Sequence, residues 1–183
     1  MKFCWAVLLL LVGLAVPRAS QAQVSAYGEF SATDLTNLVN TNILYGATAG
    51  VLYDGPTLFH HMLVSADIQG RFVFGDGEKF NGVNVGPRFS FPLKKRLFRV
   101  APYGEFLVGF ARFNGNAATQ FFNGPLNNQT TDATMQINGG VAKQISPRLD
   151  VVLDYSYSQY YAYGGQYNPK TGSAGVIYHF VKR

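Results

Sequence analysis

Residues 149–158 read Leu-Asp-Val-Val-Leu-Asp-Tyr-Ser-Tyr-Ser, with apolar or aromatic side chains at every odd position and Asp or Ser at four of the five even ones. Successive side chains of a strand point to opposite faces, so this period of two predicts a strand with one apolar and one polar face. The same split recurs. In 58–74, Met62, Val64, Ala66, Ile68, Phe72 and Phe74 share one side, against Ser65, Asp67, Gln69 and Arg71 on the other. In 80–91, Val83, Val85, Pro87, Phe89 and Phe91 oppose Asn84, Gly86, Arg88 and Ser90, and in 133–145 Met135, Ile137 and Val141 oppose Thr134, Gln136, Asn138 and Gln144. With 24–30, 43–53, 98–113, 149–160 and 171–181, the pattern predicts eight strands.

The connections carry a second regularity. Asp54-Gly55-Pro56, 92–97 and Ser146-Pro147 read as short turns, whereas 31–42, 114–132 and 161–170 are longer and rich in Asn, Gly and Thr. Gly75 to Lys79 breaks the alternation, being short where a long loop belongs. Short turns at one end and long loops at the other, with both termini at the turn end, describe an all-β fold: an eight-stranded antiparallel up-and-down transmembrane β-barrel. Its apolar faces would touch hydrocarbon and its polar faces would fill the bore. A soluble ligand-binding barrel would reverse the two faces.

Composition narrows the picture further. Lys2 precedes an almost uncharged run over 3–16, followed by Pro17, Arg18 and Ala19-Ser20-Gln21-Ala22. This is the pattern of a secretory signal peptide over 1–22, cut after Ala22, leaving one barrel domain over 23–183. The run is shorter than the roughly 20 apolar residues of a membrane-spanning helix. Cys4 lies inside the leader, so the mature chain is expected to hold no thiol and no disulfide. Setting aside Lys2 and Arg18 leaves 13 basic against 10 acidic residues, a net charge of +3 too mild and scattered for a nucleic-acid partner. Charged residues make up 14% of the chain and aromatics 15%, which suits a barrel wall better than a soluble surface.

The last strand reads Ser173-Ala174-Gly175-Val176-Ile177-Tyr178-His179-Phe180. It resembles the C-terminal β-signal of bacterial outer-membrane proteins, with Gly175, Tyr178 and Phe180 in the signal positions, although Val181-Lys182-Arg183 follow where the signal ends on an aromatic. With the strand count and leader, the mature chain is similar to the small eight-stranded barrels of the OmpA transmembrane-domain and OmpX type. The resemblance implies residence in the bacterial outer membrane, insertion by the barrel-assembly machinery, and contact with outer-membrane lipids and lipopolysaccharide. The wall-anchoring role of full-length OmpA is not carried over, and the resemblance implies no single activity, because such barrels serve adhesion, support, small pores and lipid enzymes.

Candidate chemistry is sparse. Asp67, Arg71, Arg88 and Glu105 all fall on the polar face of successive strands and are expected to form an ion network in the lumen, with Arg88 opposite Glu105 and Asp67 beside Arg88. His60 and His61, adjacent on one strand, would point to opposite faces and cannot share an ion, while His179 would point into the lumen at the turn end. None stands where a lipid-modifying Ser-His set would face the outer leaflet, so no catalytic residue, metal or cofactor is expected. Lys94, Lys95, Arg96 and Arg99 read as a solvated turn. Arg112 is expected outward at the loop-end rim, within reach of lipopolysaccharide phosphates. Part of the set Tyr155, Tyr157, Tyr160, Tyr161, Tyr163 and Tyr167 suggests an aromatic girdle, and the remainder, with Phe121 and Phe122, a loop surface for external contacts. The functional expectation is a non-enzymatic barrel with a polar, plugged lumen and interacting loops; the alternatives are a small passive pore and, further off, a lipid A-modifying enzyme.

Overall fold

The computed structural model describes residues 23–35, 43–58, 62–75, 78–91, 93–95, 98–114, 129–162 and 165–181. The leader, His60, His61, Asp76, Gly77, Arg96, Phe121, Phe122 and Tyr163 lie outside the described residues, as do the side chains of Lys94, Lys95 and Arg99.

Eight long strands form the wall: β1 (Val24–Asp34), β2 (Ile43–Leu58), β3 (Met62–Gly75), β4 (Glu78–Ser90), β6 (Phe98–Asn114), β7 (Gln129–Ser146), β8 (Leu149–Ala162) and β10 (Lys170–His179). Two three-residue strands, β5 (Leu93–Lys95) and β9 (Gly165–Tyr167), pair with β6 and β8 at hairpin ends. Each long strand pairs antiparallel with the next, and β1 pairs with β10, so the sheet closes on itself. Closure removes the open edges that lipid cannot satisfy with hydrogen bonds.

The alternation read from the sequence is the alternation of exposure. Ile68, Phe72, Phe74, Val83, Phe110, Ile137 and Leu153 are exposed on the outer wall, whereas Ser65, Asp67, Gln69, Arg71, Asn84, Arg88, Gln136 and Asn138 are buried inside it. Inside the wall, buried apolar side chains gather in two clusters, one around Leu44, Phe80 and Phe113 and one around Leu52, Val152 and Ile177. The large exposed apolar surface is the outside of the sheet, as a lipid-embedded wall requires.

Several boundaries differ from the pattern reading. Asp54-Gly55-Pro56 is not a turn: β2 runs on to Leu58, and its register to β3 shifts between Asp54 and Thr57. Pro56 has no N–H to give the ladder, and a bulge absorbs it without ending the strand. β3 accordingly begins at Met62 rather than residue 58. At the loop end β1, β7 and β8 extend past their expected limits to Asp34, back to Gln129 and to Ala162. Polar residues there alternate too weakly to show a strand that pairing with its neighbour extends.

Candidate functional site

The lumen enclosed by the strands is stratified rather than uniformly polar. At the loop end Leu35, Leu44, Val73, Phe80, Ala111, Phe113 and Tyr160 pack into an apolar layer, with Tyr167 against it. The rings of Phe80 on β4 and Tyr160 on β8 meet edge to face at 5.6 Å, a contact that crosses the bore. This corrects two expectations. The plug is partly apolar, and Tyr160 and Tyr167 belong to it, while Tyr155, Tyr157 and Tyr161 face outward as girdle residues.

Below that layer lies a hydrogen-bonded network between opposite walls. Arg71, fully buried, donates from Nε to Thr48 Oγ1 at 3.2 Å and from Nη1 to Thr171 Oγ1 at 3.1 Å, tying β3 to β2 and β10. Gln136 Nε2 donates to Gln69 Oε1 at 2.9 Å and to Asn138 Oδ1 at 2.7 Å, and Asn138 Nδ2 donates to Glu105 Oε2 at 2.6 Å. Buried polar groups so partnered hold a fixed interior; unpartnered, each would cost about 1–3 kcal/mol.

Arg88 and Glu105 sit directly opposite each other on β4 and β6, Nη1 to Oε1 at 3.3 Å, and the Arg88 guanidinium lies 3.5 Å over the Tyr103 ring. Asp67 does not pair with Arg88. Register sets Ser65 opposite Arg88 and Asp67 opposite Gly86, and Asp67 accepts from Tyr27 Oη at 3.0 and 3.1 Å. Asp67 and Arg88 are nonetheless diagonal neighbours on β3 and β4, joined in one network through Tyr27, Gln69, Gln136, Asn138 and Glu105.

Tyr27 reaches Asp67 by passing over β2 at Gly50, where a Cβ would stand 2.5 Å from its ring. Tyr103 uses the same device over Gly140 to reach Asp154 on β8. Gly175 is a third such position: it faces inward, and a Cβ there would collide with backbone of β1 and with Cγ of Glu29. Tyr178 and Phe180 point outward, their rings edge to face at 5.5 Å.

At the turn end a cavity of about 160 Å³ is lined by Leu52, Asp54, Ser65, Arg88, Asp150 and His179, among others. Beside it stands a set the sequence reading missed. Ser25 Oγ lies 2.7 Å from His179 Nδ1, and His179 Nε2 lies 3.0 Å from Asp150 Oδ2. These are nucleophile, base and orienting-acid distances. Ser25, however, is fully buried and is not among the residues lining that cavity. The three residues come from β1, β10 and β8, the strands that close the sheet, and they clamp that seam. Closure alone could have exposed the set, because pairing the first strand with the last puts Ser25 opposite His179.

Among the described residues no group of three or more His, Cys, Asp or Glu is arranged to hold a metal ion. Arg112 and Lys79 are exposed on the outer wall at the loop end.

No family model and no curated protein sequence matches the chain. Solved structures do match. Neisserial surface protein A is similar with TM-score 0.55 and 14% identity over 87% of this chain and 97% of its own. The outer membrane enzyme PagL is similar with TM-score 0.52 and 13% identity over 84% of this chain and 98% of its own. The fold is that of small eight-stranded outer-membrane barrels. At these identities the likeness concerns architecture, and it includes both a surface protein and an enzyme.

Proposed function

We propose that this protein is a non-enzymatic integral barrel of the bacterial outer membrane, exported behind a cleaved leader over 1–22. Its wall and filled lumen are structural, and its loop end faces outward to meet external surfaces. The observation that carries this reading is the pairing of an apolar outer wall with a bore crossed by the contact of Phe80 with Tyr160 within a packed apolar layer. An eight-strand barrel has room for little beyond its own side chains, and here the polar network occupies the middle as well.

The packed apolar layer at the loop end argues against a small passive pore. The burial of Ser25 argues against an acyl-transfer enzyme in the bore. Reconstitution in a planar bilayer tests both. The barrel is expected to give no steady openings, and expression in a bacterial outer membrane is expected to leave the mass of lipid A unchanged. Steady conductance would favour the pore, and a lipid A mass shift would favour the enzyme.

A further inference from the structure

Inside the bore, side chains cross a neighbouring strand where a glycine lets them pass. Tyr27 passes Gly50 to donate to Asp67, and Tyr103 passes Gly140 to donate to Asp154. Glu29 makes a crossing of the same kind. It stands opposite Gly175 of β10, a Cβ at that glycine would lie 2.7 Å from its Cγ, and its carboxyl group reaches that of Asp154 on β8. Here an acid meets an acid. Ionised carboxyl groups only accept hydrogen bonds, so this crossing lacks the donor that holds the two tyrosine bridges together.

The oxygens on this side of the lumen show the same shortage. Glu29 is 6% exposed, and Ser156, the next inward residue of β8 beyond Asp154, is fully buried. Glu29 Oε2, Asp154 Oδ1 and Ser156 Oγ have no hydrogen-bond partner among the described residues. The surrounding charge points the same way. Glu29, Asp67, Glu105 and Asp154 face one another across this part of the bore, with Arg71 and Arg88 as the described cations among them. Arg88 pairs with Glu105, and Arg71 donates to Thr48 and Thr171. Four carboxyl groups against two guanidiniums leave this layer short of positive charge, and buried charges need partners.

We propose that Glu29, Asp154 and Ser156 form a lumen site for one hard metal cation, of the sodium or magnesium kind, held through oxygen alone. Carboxylate oxygens and water are the ligands such ions take, and two carboxylates beside a hydroxyl suit an ion that keeps part of its water shell. A proton shared between the two carboxyl groups would serve their contact alone; a cation draws in Ser156 Oγ as well. The turn-end cavity of about 160 Å³, with Asp54, Asp150 and Arg88 in its lining, supplies an approach from that end. The inference concerns the lumen and does not depend on what the loops meet.

The test is urea unfolding of the refolded barrel in neutral detergent, at one pH and one ionic strength, in sodium chloride, magnesium chloride or tetramethylammonium chloride. An ion that binds only the folded state raises the midpoint. The midpoint is expected to be higher in sodium or magnesium than in tetramethylammonium, and the stronger response assigns the charge of the ion. E29Q/D154N should abolish the difference, S156A should reduce it, and D132N, which removes an acid at the loop end, should leave it unchanged. Equal midpoints for the unaltered barrel in the three salts would overturn the proposal and leave a shared proton as the link between Glu29 and Asp154. A difference that persists in folded E29Q/D154N would overturn it too. Heat-dependent gel mobility reports folding separately, and E29Q alone serves if the double variant does not fold.

Discussion

Tyr103 donates a hydrogen bond to Asp154 at 3.3 Å although the two residues stand on β6 and β8, with all of β7 between them. The ring crosses at Gly140, which has no side chain to block it. Tyr27, Gly50 and Asp67 repeat this bridge on the facing half of the barrel. The lumen is therefore braced by side chains that span two strand spacings, and glycines facing the bore are the passages.

Filling such a passage should strain the barrel. Gly140→Leu would drive the Tyr103 ring off its path, and overpacking of this kind costs about 1–3 kcal/mol. Tyr103→Phe removes only the hydroxyl and should cost about 0.5–1.5 kcal/mol. Urea unfolding of the barrel in lipid vesicles, followed by intrinsic fluorescence, should rank G140L below Y103F and both below the unaltered protein.

Breaking the Arg88–Glu105 pair should be worse than removing it. Arg88→Met leaves a carboxyl buried at 5% exposure without its cation, for which about 3–5 kcal/mol is expected. The double replacement R88M/E105L should recover most of that loss. A double-mutant cycle by the same unfolding assay checks it; additive effects would show that the 3.3 Å contact carries no coupling.

How much of this was legible in the sequence follows from what each signal depends on. Inward and outward faces need only the period of two, and Ile68 against Gln69 or Leu153 against Asp154 sit as the alternation places them. The opposition of Arg88 and Glu105 was legible because a short turn lies between their strands. The direct partner of Asp67 was not legible, because it is a tyrosine from another hairpin, while its place diagonal to Arg88 on the lumen face was. The apolar loop-end layer was hidden for a different reason: Leu44, Val73, Phe80 and Phe113 look like wall residues until their parity is fixed against their neighbours. Ser25, Asp150 and His179 meet only through closure of β1 on β10, a contact between residues 154 positions apart.

That last set yields a chemical prediction. A fluorophosphonate probe, which labels an activated serine nucleophile, should leave Ser25 of the folded barrel unmodified in intact-mass spectra. His179→Ala should instead lower stability, since it leaves Asp150 and Ser25 without the partner between them at the seam. Labelling of Ser25 would contradict the clamp and support a catalytic site.

The outer wall makes its own prediction. Leu153→Arg puts a charge on the exposed apolar face, where about 2–4 kcal/mol is expected near the bilayer midplane, falling to about 0–1 kcal/mol at the interface. Thr131→Arg, at the loop-end rim, should cost far less. Folding yields into vesicles and unfolding midpoints of the two variants should separate in that order.

The most direct test of the account is contact between methyl groups and lipid, measured by nuclear Overhauser effects in a lipid nanodisc. Methyls of Ile68, Val83 and Leu153 should show strong transfer from acyl chains, and those of Leu44, Thr48 and Val152 should show none. Acyl-chain contacts at Leu44 and Val152, with water contacts at Ile68 and Leu153, would contradict it.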